Sequence, residues 1–477
     1  MNKDISKKKP NLIYVFADQL GIGHVGYSGN KKALTPNIDR IKKECLDFNN
    51  AVSGHPVCAP YRASLFTGKY TTSTGMVINE IRLNPNHRSM ANVLNDGGYT
   101  TAYIGKWHMY ANEWGNHYDV KNSFIPKGEH RLGFDEYFAA YNFHHEYYGE
   151  CAYYHLDTDE KLYCDGYEPD VQTDMAMNKI KELAVKDKPF ALFLSLGTPH
   201  DPWIPENVPK EYLDKFKDVS FELPPNYLPE NDKYADDWAK LSPKERNELT
   251  QWMRVYYAMT ANLDDNIGRL YEMLEETGIL DNSIFIFTAD HGELFGAHGR
   301  RAKNIFYEEA VRIPFLMKWG DRLSRKRCDV CLNTVDLMPT LLTMLELPVP
   351  DEVEGVDLSG YIMGNTGAKE PEGSLMMGTG ATAKWEDGHE WRAFRTKQYT
   401  YAKYLSDGKE LLFDNINDPY QMKDLSQEEE YKEILLLLKN SMSKEMARVG
   451  DEFQPSSYYE ENWVTKDRLI TKTKSGT

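Results

Sequence analysis

With 477 residues the chain is long enough to bury a large core, either as one big domain or as a domain with a smaller companion. Its 41% hydrophobic and 27% charged content is ordinary for a globular enzyme, and its formal net charge of −17 excludes nucleic-acid binding through bulk electrostatics, because neutralising phosphates needs basic surface. Any anion site here is therefore a local cluster of cations within an acidic molecule.

In chain order, residues 1–10 are polar and lysine-rich and lack the apolar stretch that follows the basic end of a secretory signal. The chain reads as cytoplasmic if it is complete, and as periplasmic or secreted if a signal peptide was removed. Every apolar run is strand-sized, so no membrane span is expected. Four of these runs follow one plan. Residues 11–17 end on Asp18-Gln19; 101–105 end on Lys106-Trp107-His108; 190–196 end on Thr198-Pro199-His200; 283–287 end on Thr288-Ala289-Asp290-His291. Near-continuous apolar runs are what a sheet buried on both faces requires. Helical patterns lie between them at 36–44, 174–184, 243–277 and 335–345, with Thr35 as N-cap and Pro36 at the first position of the earliest. Alternating strands and helices predict an α/β sheet with helices on both faces and a ligand beyond the carboxyl ends of the strands.

After about residue 370 the pattern changes. Short segments at 374–377, 391–396, 399–404 and 409–414 read as antiparallel strands, with a helix over 428–449 behind them. The expected division is 1–370 and 371–477, the second part being a smaller α+β subdomain.

The six cysteines include Cys328 and Cys331 at CxxC spacing, but no second pair lies nearby to complete a zinc site, and the run 322–327 before it reads as an exposed turn. Structural thiols are the expectation there. Cys58 is different. In Cys58-Ala59-Pro60-Tyr61-Arg62-Ala63-Ser64-Leu65-Phe66-Thr67-Gly68 it opens a helix with proline in the first turn, where backbone N–H groups and the helix dipole favour negative charge. Taken alone, a helix-capping cysteine fits as well. At two neighbouring strand ends, Asp18, Gln19, Asp290 and His291 offer mostly oxygen ligands, which suit a hard cation such as calcium.

The segment from Cys58 to Gly68 resembles the signature of the formylglycine-dependent (type I) sulfatases of the alkaline phosphatase superfamily. Asp18-Gln19, Gly105-Lys106-Trp107-His108, Thr198-Pro199-His200, Asp290-His291-Gly292-Glu293 and His298-Gly299 followed by Lys303 resemble the family's successive motifs, in its order. Residues 335–340 and 355–358 resemble its later structural motifs. The resemblance implies an alkaline-phosphatase-like sandwich: a large mixed, mostly parallel sheet flanked by helices. It also implies one bound calcium and hydrolysis of sulfate esters, as in bacterial carbohydrate sulfatases.

By the same resemblance, a formylglycine-generating or anaerobic sulfatase-maturing enzyme converts Cys58 to formylglycine, and one hydroxyl of its hydrate attacks sulfur. Asp18, Gln19, Asp290, His291 and residue 58 hold the calcium, and Asp290 helps to activate the nucleophile. Arg62 and Lys106 hold the hydrate and its charge, His108 deprotonates the second hydroxyl, and His200 and Lys303 bind sulfate and protonate the departing oxygen. Where the family often has Asp-Asp and Asp-Asn, this chain has Asp18-Gln19 and Asp290-His291. Those forms also resemble choline sulfatases and phosphonate monoester hydrolases, which leaves a phosphonate or phosphate ester hydrolase, or a choline sulfatase, as the alternative.

For the sugar substrate, the expected contacts are His144, His145, Tyr148, Trp203, His298, Arg300 and Arg301. The tyrosine-rich run from 141 to 154 fits either a sugar-binding rim or a packed aromatic patch. Trp203 fits stacking on a ring or packing in the core, and Asp264-Asp265 reads as the solvated face of a helix.

Overall fold

The computed structural model describes residues 8–474, so most of the polar start read over residues 1–10 lies outside the described residues. In chain order the strands are β1 (Asn11–Ala17), β2 (Leu46–Val52), β3 (Thr100–Lys106), β4 (Tyr137–Tyr141), β5 (Tyr153–Tyr154), β6 (Leu162–Tyr163), β7 (Phe190–Leu196), β8 (Ser283–Ala289), β9 (Phe315–Trp319), β10 (Arg327–Asn333), β11 (Ser374–Gly378), β12 (Trp391–Arg395), β13 (Tyr399–Tyr404) and β14 (Glu410–Asp414). Eight of them form one sheet in the order β10-β2-β9-β8-β1-β7-β3-β4. Within it only β9 runs antiparallel to its neighbours, β2 and β8. The four strands read from apolar runs are therefore the contiguous centre of the sheet, β8-β1-β7-β3. Tyr14 of β1 pairs with Phe193 on one side and Ile286 on the other, and β1 is fully buried from Leu12 to Ala17. A strand covered on both faces has no polar side to show, which is why its sequence does not alternate. The outer strands do alternate. In β2 (LDFNNAV) and β10 (RCDVCLN) polar residues break the apolar run, and β10 begins inside the segment read as an exposed turn.

The helices expected between the strands form as Pro36–Lys42, Glu168–Ala184, Pro243–Glu276 and Leu337–Met344. Two details differ from the sequence reading. Thr35 does not cap the first of them; its hydroxyl accepts from Gly26 N instead. The cap comes from Asp264, whose carboxylate accepts from the backbone N–H of Asn37 and Ile38 at 3.0 and 2.7 Å. Asp264 is consequently buried rather than part of a solvated helix face. A carboxylate reaching across from a second helix meets the same unpaired N–H groups that a local cap would.

The second sheet, β11-β12-β13-β14, is antiparallel throughout. Its alternating side chains have two destinations. Met376, Trp391, Ala393, Ala402 and Tyr404 pack on Ile305, Phe306 and Tyr307, which precede β9 of the large sheet. Leu375, Met377, Phe394, Tyr401 and Leu412 pack on the helix Lys432–Val449 through Leu438, Met442 and Val449. The small sheet is thus pressed between its own helix and the segment that follows Lys303, and Trp391 Nε1 donates to Asn304 O at 3.0 Å. Among the described residues no helix is long and apolar enough to cross a membrane, and all six cysteines are free thiols.

Candidate active site

Cys58 is the first residue of the buried helix Cys58–Thr67. Val57 before it is extended, and the helix ends at Gly68, whose φ of +64° suits the residue type that tolerates the left-handed region. The far end of this helix is clasped by the two later motifs. Glu354 N and Gly355 N donate to Gly68 O, Val356 N donates to Asp336 Oδ1, and Leu358 N donates to Thr340 Oγ1. Those motifs therefore hold the helix that presents Cys58, far from any chemistry of their own. The near end faces the carboxyl ends of β1, β3, β7 and β8, where the strand-end residues converge. At those ends β3 and β7 run so close that a Cβ on Gly105 would lie 2.0 Å from Ser195 O.

Cys58 Sγ lies 3.2 Å from His291 Nε2, 3.4 Å from Lys303 Nζ and 3.6 Å from Asp18 Oδ1. Lys106 Nζ donates to Asp18 Oδ2 at 2.6 Å, and Arg62 Nη2 lies 3.4 Å from the same oxygen and 3.6 Å from Asp290 Oδ2. Arg62 is aimed by its other nitrogen, Nη1, which donates to Lys106 O, Ser195 Oγ and Tyr103 OH. Lys303 Nζ also reaches His200 Nε2 at 2.8 Å and Gln19 Oε1 at 2.7 Å. His108 stacks on Phe143 with ring centroids 4.2 Å apart, and neither of its ring nitrogens has a hydrogen-bond partner. Gln19 and His108 both sit at positive φ, +68° and +59°, uncommon for their residue types.

The electrostatics follow from Arg62, Lys106 and Lys303 gathering around two carboxylates, all of them buried from the surface. Burial would raise the Asp18 carboxyl, yet Lys106, Lys303, His291 and Arg62 hold it well below the usual carboxylate range. Asp290 goes the other way, pushed up to about 7 by burial and then by the charge of Asp18. His108, His200 and His291 are all held well below the ordinary histidine value, first by burial and then by the neighbouring lysines. They are neutral near pH 7 and able to accept protons. The Cys58 thiol is pushed up to about 11 by burial and by Asp18, so its unmodified sulfur stays protonated and is a poor nucleophile.

Atoms of Asp18, Cys58, Asp290 and His291 lie within 4.8 Å of one another, and Asp290 Oδ2 is buried without a hydrogen-bond partner. Two carboxylates, one imidazole and the atom of residue 58 form a donor set that fits a divalent cation. Gln19 sits beside this group with its amide turned elsewhere: Nε2 donates to Glu293 Oε2 at 2.6 Å, and Oε1 accepts from Lys303.

The residues expected to touch the sugar have separate fates. His145 lies in the centre itself, 2.9 Å from Lys106 Nζ and stacked on His200 at 3.8 Å. Arg301 is half-buried, bonded to Glu245 and lying over Trp238. The others are placed away from the centre. Trp203 packs between Trp252, Tyr256 and Phe295 and donates to Pro199 O, so it belongs to the core. His144 is buried against Tyr141 and bonded to Glu168 Oε2 at 2.6 Å. His298 stacks on Tyr307 and meets Asn226. Arg300 is buried in a pair with Asp232, and Tyr148 lies against Tyr167. Except for Tyr148, which stays exposed beside Tyr167, a partner inside the chain already takes up the ring or charge. Sequence reasoning missed Ser195, Tyr103 and Glu293, which aim Arg62 and Gln19. Ser195 and Tyr103 fall within apolar runs, where a polar side chain that must find a buried partner marks them.

A sulfatase family profile matches residues 10–347, and one described as "N-sulphoglucosamine sulphohydrolase, C-terminal" matches residues 296–448. An ulvan-active sulfatase of Formosa agariphila is 35% identical over 94% of this chain and 84% of its own length. An N-acetylglucosamine-6-O-sulfatase of Bacteroides thetaiotaomicron is 25% identical over 93% of this chain and 88% of its own. The solved structure of the yidJ protein of Bacteroides fragilis superposes with a TM-score of 0.80 at 28% identity, covering 96% of this chain and 99% of that one. The fold is alkaline-phosphatase-like, and the chain belongs to the sulfatase family, the hydrolases of sulfuric esters.

Proposed function

We propose that this enzyme removes sulfate from a sulfated sugar of a glycan, with Cys58 matured to formylglycine as the nucleophile and calcium held by Asp18, Asp290, His291 and residue 58, joined by Gln19 once its amide oxygen turns from Lys303. The observation that carries the reading is the convergence of Asp18, His291 and Lys303 on one side-chain atom of residue 58, within 3.2 to 3.6 Å. The names of the two bacterial relatives, one active on ulvan and one on N-acetylglucosamine 6-sulfate esters, support a sugar substrate.

Calcium, when bound, supplies positive charge opposite the sulfuryl oxygens. The chain's own groups do the rest. Lys106 and Arg62 fix Asp18 and hold negative charge around residue 58. One hydroxyl of the formylglycine hydrate gives its proton to the Asp290 carboxylate and forms the new bond to sulfur while the bond from sulfur to the sugar oxygen breaks; water added to the aldehyde at the end of the cycle restores the hydrate. Lys303 keeps its proton against the burial that opposes its charge, because the Asp18 carboxylate lies nearby, and it is hydrogen-bonded to His200. This pair delivers a proton to the departing sugar oxygen. His108, neutral and with both nitrogens free, takes the proton of the remaining hydroxyl, so that the carbon–oxygen bond to sulfate breaks and the aldehyde returns. Residues 1–370 act as the catalytic domain, and 371–477 brace the Lys303 segment from behind.

The test has two parts. Mass spectrometry of the Cys58 peptide from active enzyme, made alongside a maturation enzyme, should show the aldehyde; a plain thiol in fully active protein removes the nucleophile from the reading. A panel of sulfated monosaccharides and oligosaccharides, beside choline sulfate, an aryl sulfate and a phosphonate monoester, tests the substrate. Inert sugars alongside efficient turnover of any of the other three would overturn the sugar assignment.

A further inference from the structure

Beside the centre lies a cavity of about 330 Å³, within the size range of small-molecule sites. Its walls include two tryptophans on the surface, Trp114 at 56% and Trp238 at 39% exposure, together with His117, Arg301, Thr382 and Lys384. Large exposed indoles are costly to leave in water, and two of them around one hollow mark a place where something apolar-faced is meant to lie. Thr382 and Lys384 come from the loop between β11 and β12, so both parts of the chain build the wall.

Three contacts tie this cavity to the catalytic groups. Thr382 O accepts from Asn79 N at 2.8 Å, and Asn79 Oδ1 accepts from Ala59 N, next to Cys58. The His117 ring meets Phe143 at 3.8 Å, and Phe143 is the ring on which His108 stacks. Asn304, which follows Lys303, donates through Nδ2 to Gly380 O at 2.9 Å, two residues before Thr382. The cavity is therefore linked to His108 through one residue, Phe143, and to Cys58 and Lys303 through two or more.

We propose that this cavity binds the sugar ring adjoining the sulfated one, stacked by its C–H face on Trp114 or Trp238. The inference rests on the glycan reading above. A pyranose offers an apolar face to an indole and a rim of hydroxyls to polar walls. Arg301 and Lys384 are the charged groups of the rim, while Glu80, which accepts from Gly115 N and lies 3.1 Å from His117 Nε2, and Asp236, which accepts from Thr382 N and Ala239 N, are buried and fix the wall behind it. A quaternary ammonium ion is disfavoured despite these acids. Lys384 Nζ lies 5.7 Å from the Trp114 ring centroid and the Arg301 guanidinium 5.8 Å from that of Trp238, so each ring already carries one cation of the chain, whose charge repels a second, while a neutral sugar takes the opposite face.

The experiment compares matured parent enzyme with Trp114→Ala and Trp238→Ala on a sulfated monosaccharide and on an oligosaccharide carrying the same sulfated ring. The parent should prefer the oligosaccharide in kcat/KM. Each variant should cut that preference roughly tenfold through KM, the scale of one aromatic contact, and Trp114→Phe should restore part of it. An unaltered preference in both variants overturns the inference, as does a loss shared equally by the two substrates. Loss of choline sulfate turnover in the alanine variants, with oligosaccharide preference intact, also overturns it and assigns the cavity to a cation. If the parent turns over neither sugar but hydrolyses an aryl sulfate, it is the glycan reading that fails, and the two failures are distinguishable.

Discussion

Two buried clusters of charge in this molecule are built from the same side chains and behave in opposite ways. In the small sheet, Arg392 meets Asp451 through two parallel bonds, from Nε to Oδ2 and, at 2.9 Å, from Nη2 to Oδ1, while Nη1 donates to Gly378 O and Trp391 O. Every polar atom of that pair is used, and Arg395 with Glu308 repeats the arrangement. At the strand ends, Lys106 and Arg62 share the carboxylates of Asp18 and Asp290 at distances from 2.6 to 3.6 Å, and Arg62 Nε, Asp290 Oδ2 and both nitrogens of His108 make no hydrogen bond. One cluster is complete without anything else; the other has its valences turned toward something the protein does not supply. Burial of charge is common to both, and incompleteness is what separates a reactive centre from a strut.

The comparison breaks most sharply at Cys58. Cys58→Ala should lower turnover on the order of 10⁴-fold or more, the scale of removing a covalent nucleophile, while the thermal midpoint stays near that of the parent. The thiol is neutral and makes only weak polar contacts, so its loss removes chemistry and little packing. Substantial residual activity in a sample free of parent enzyme would show that the nucleophile lies elsewhere. Next in size, His108→Ala should cost about 10²- to 10⁴-fold in steady state, with a burst of one product equivalent before the stall. That follows from its place as the neutral base with two unpartnered nitrogens. Steady turnover at the parental rate would exclude His108 from the cycle. The strut answers in a different measurement. Asp451→Ala should leave Arg392 buried and unpaired and cost about 3–5 kcal/mol of stability, whereas Arg392→Met with Asp451→Leu should recover most of it. A single variant as stable as the parent would mean that this pair does not hold the sheet.

Much of the centre is legible in the sequence because its residues sit where strands end. Asp18, Lys106, His200 and Asp290 each follow an apolar run, and the four runs prove to be adjacent strands. The sheet's outer strands are not legible: β2 and β10 carry polar residues because one of their faces is not packed, so their runs are broken. The substrate contacts fare worst for a related reason. Trp203, His298 and Arg300 stand beside catalytic motifs in the chain, but adjacency in sequence does not say which way a side chain turns, and each turns inward to a partner. The indoles that do line a cavity, Trp114 and Trp238, lie in segments without periodicity, where no pattern singles them out. The cap on the helix Pro36–Lys42 escapes the sequence on the same principle: its partner, Asp264, is more than two hundred residues away.

Glu309 stands between the two kinds of cluster and gives the smallest effect. Its side chain is partly buried: one oxygen accepts from Asn226 Nδ2 at 2.7 Å, and the other is enclosed without a hydrogen-bond partner. Its backbone carbonyl lies behind the Asp290 loop, 1.9 Å from where a Cβ on Gly292 would stand, so the position is closely packed. Burial first, and then the charge of Glu308, pushes its carboxyl up to about 7, from an ordinary value of 4.5. The folded state therefore holds this proton more tightly than the unfolded chain does. Its contribution to stability is fully present below pH 4.5, declines as the pH rises toward 7, and is lost above that. The shift corresponds to about 3 kcal/mol across that window. Glu309→Gln keeps an acceptor for Asn226 and cannot ionise. The variant should match the parent near pH 4 and exceed it by up to about 3 kcal/mol at pH 8, in denaturant titrations run at both values. Parallel pH profiles for the two proteins would mean that the Glu309 carboxyl is ionised in the fold, with a compensating partner that the geometry does not provide.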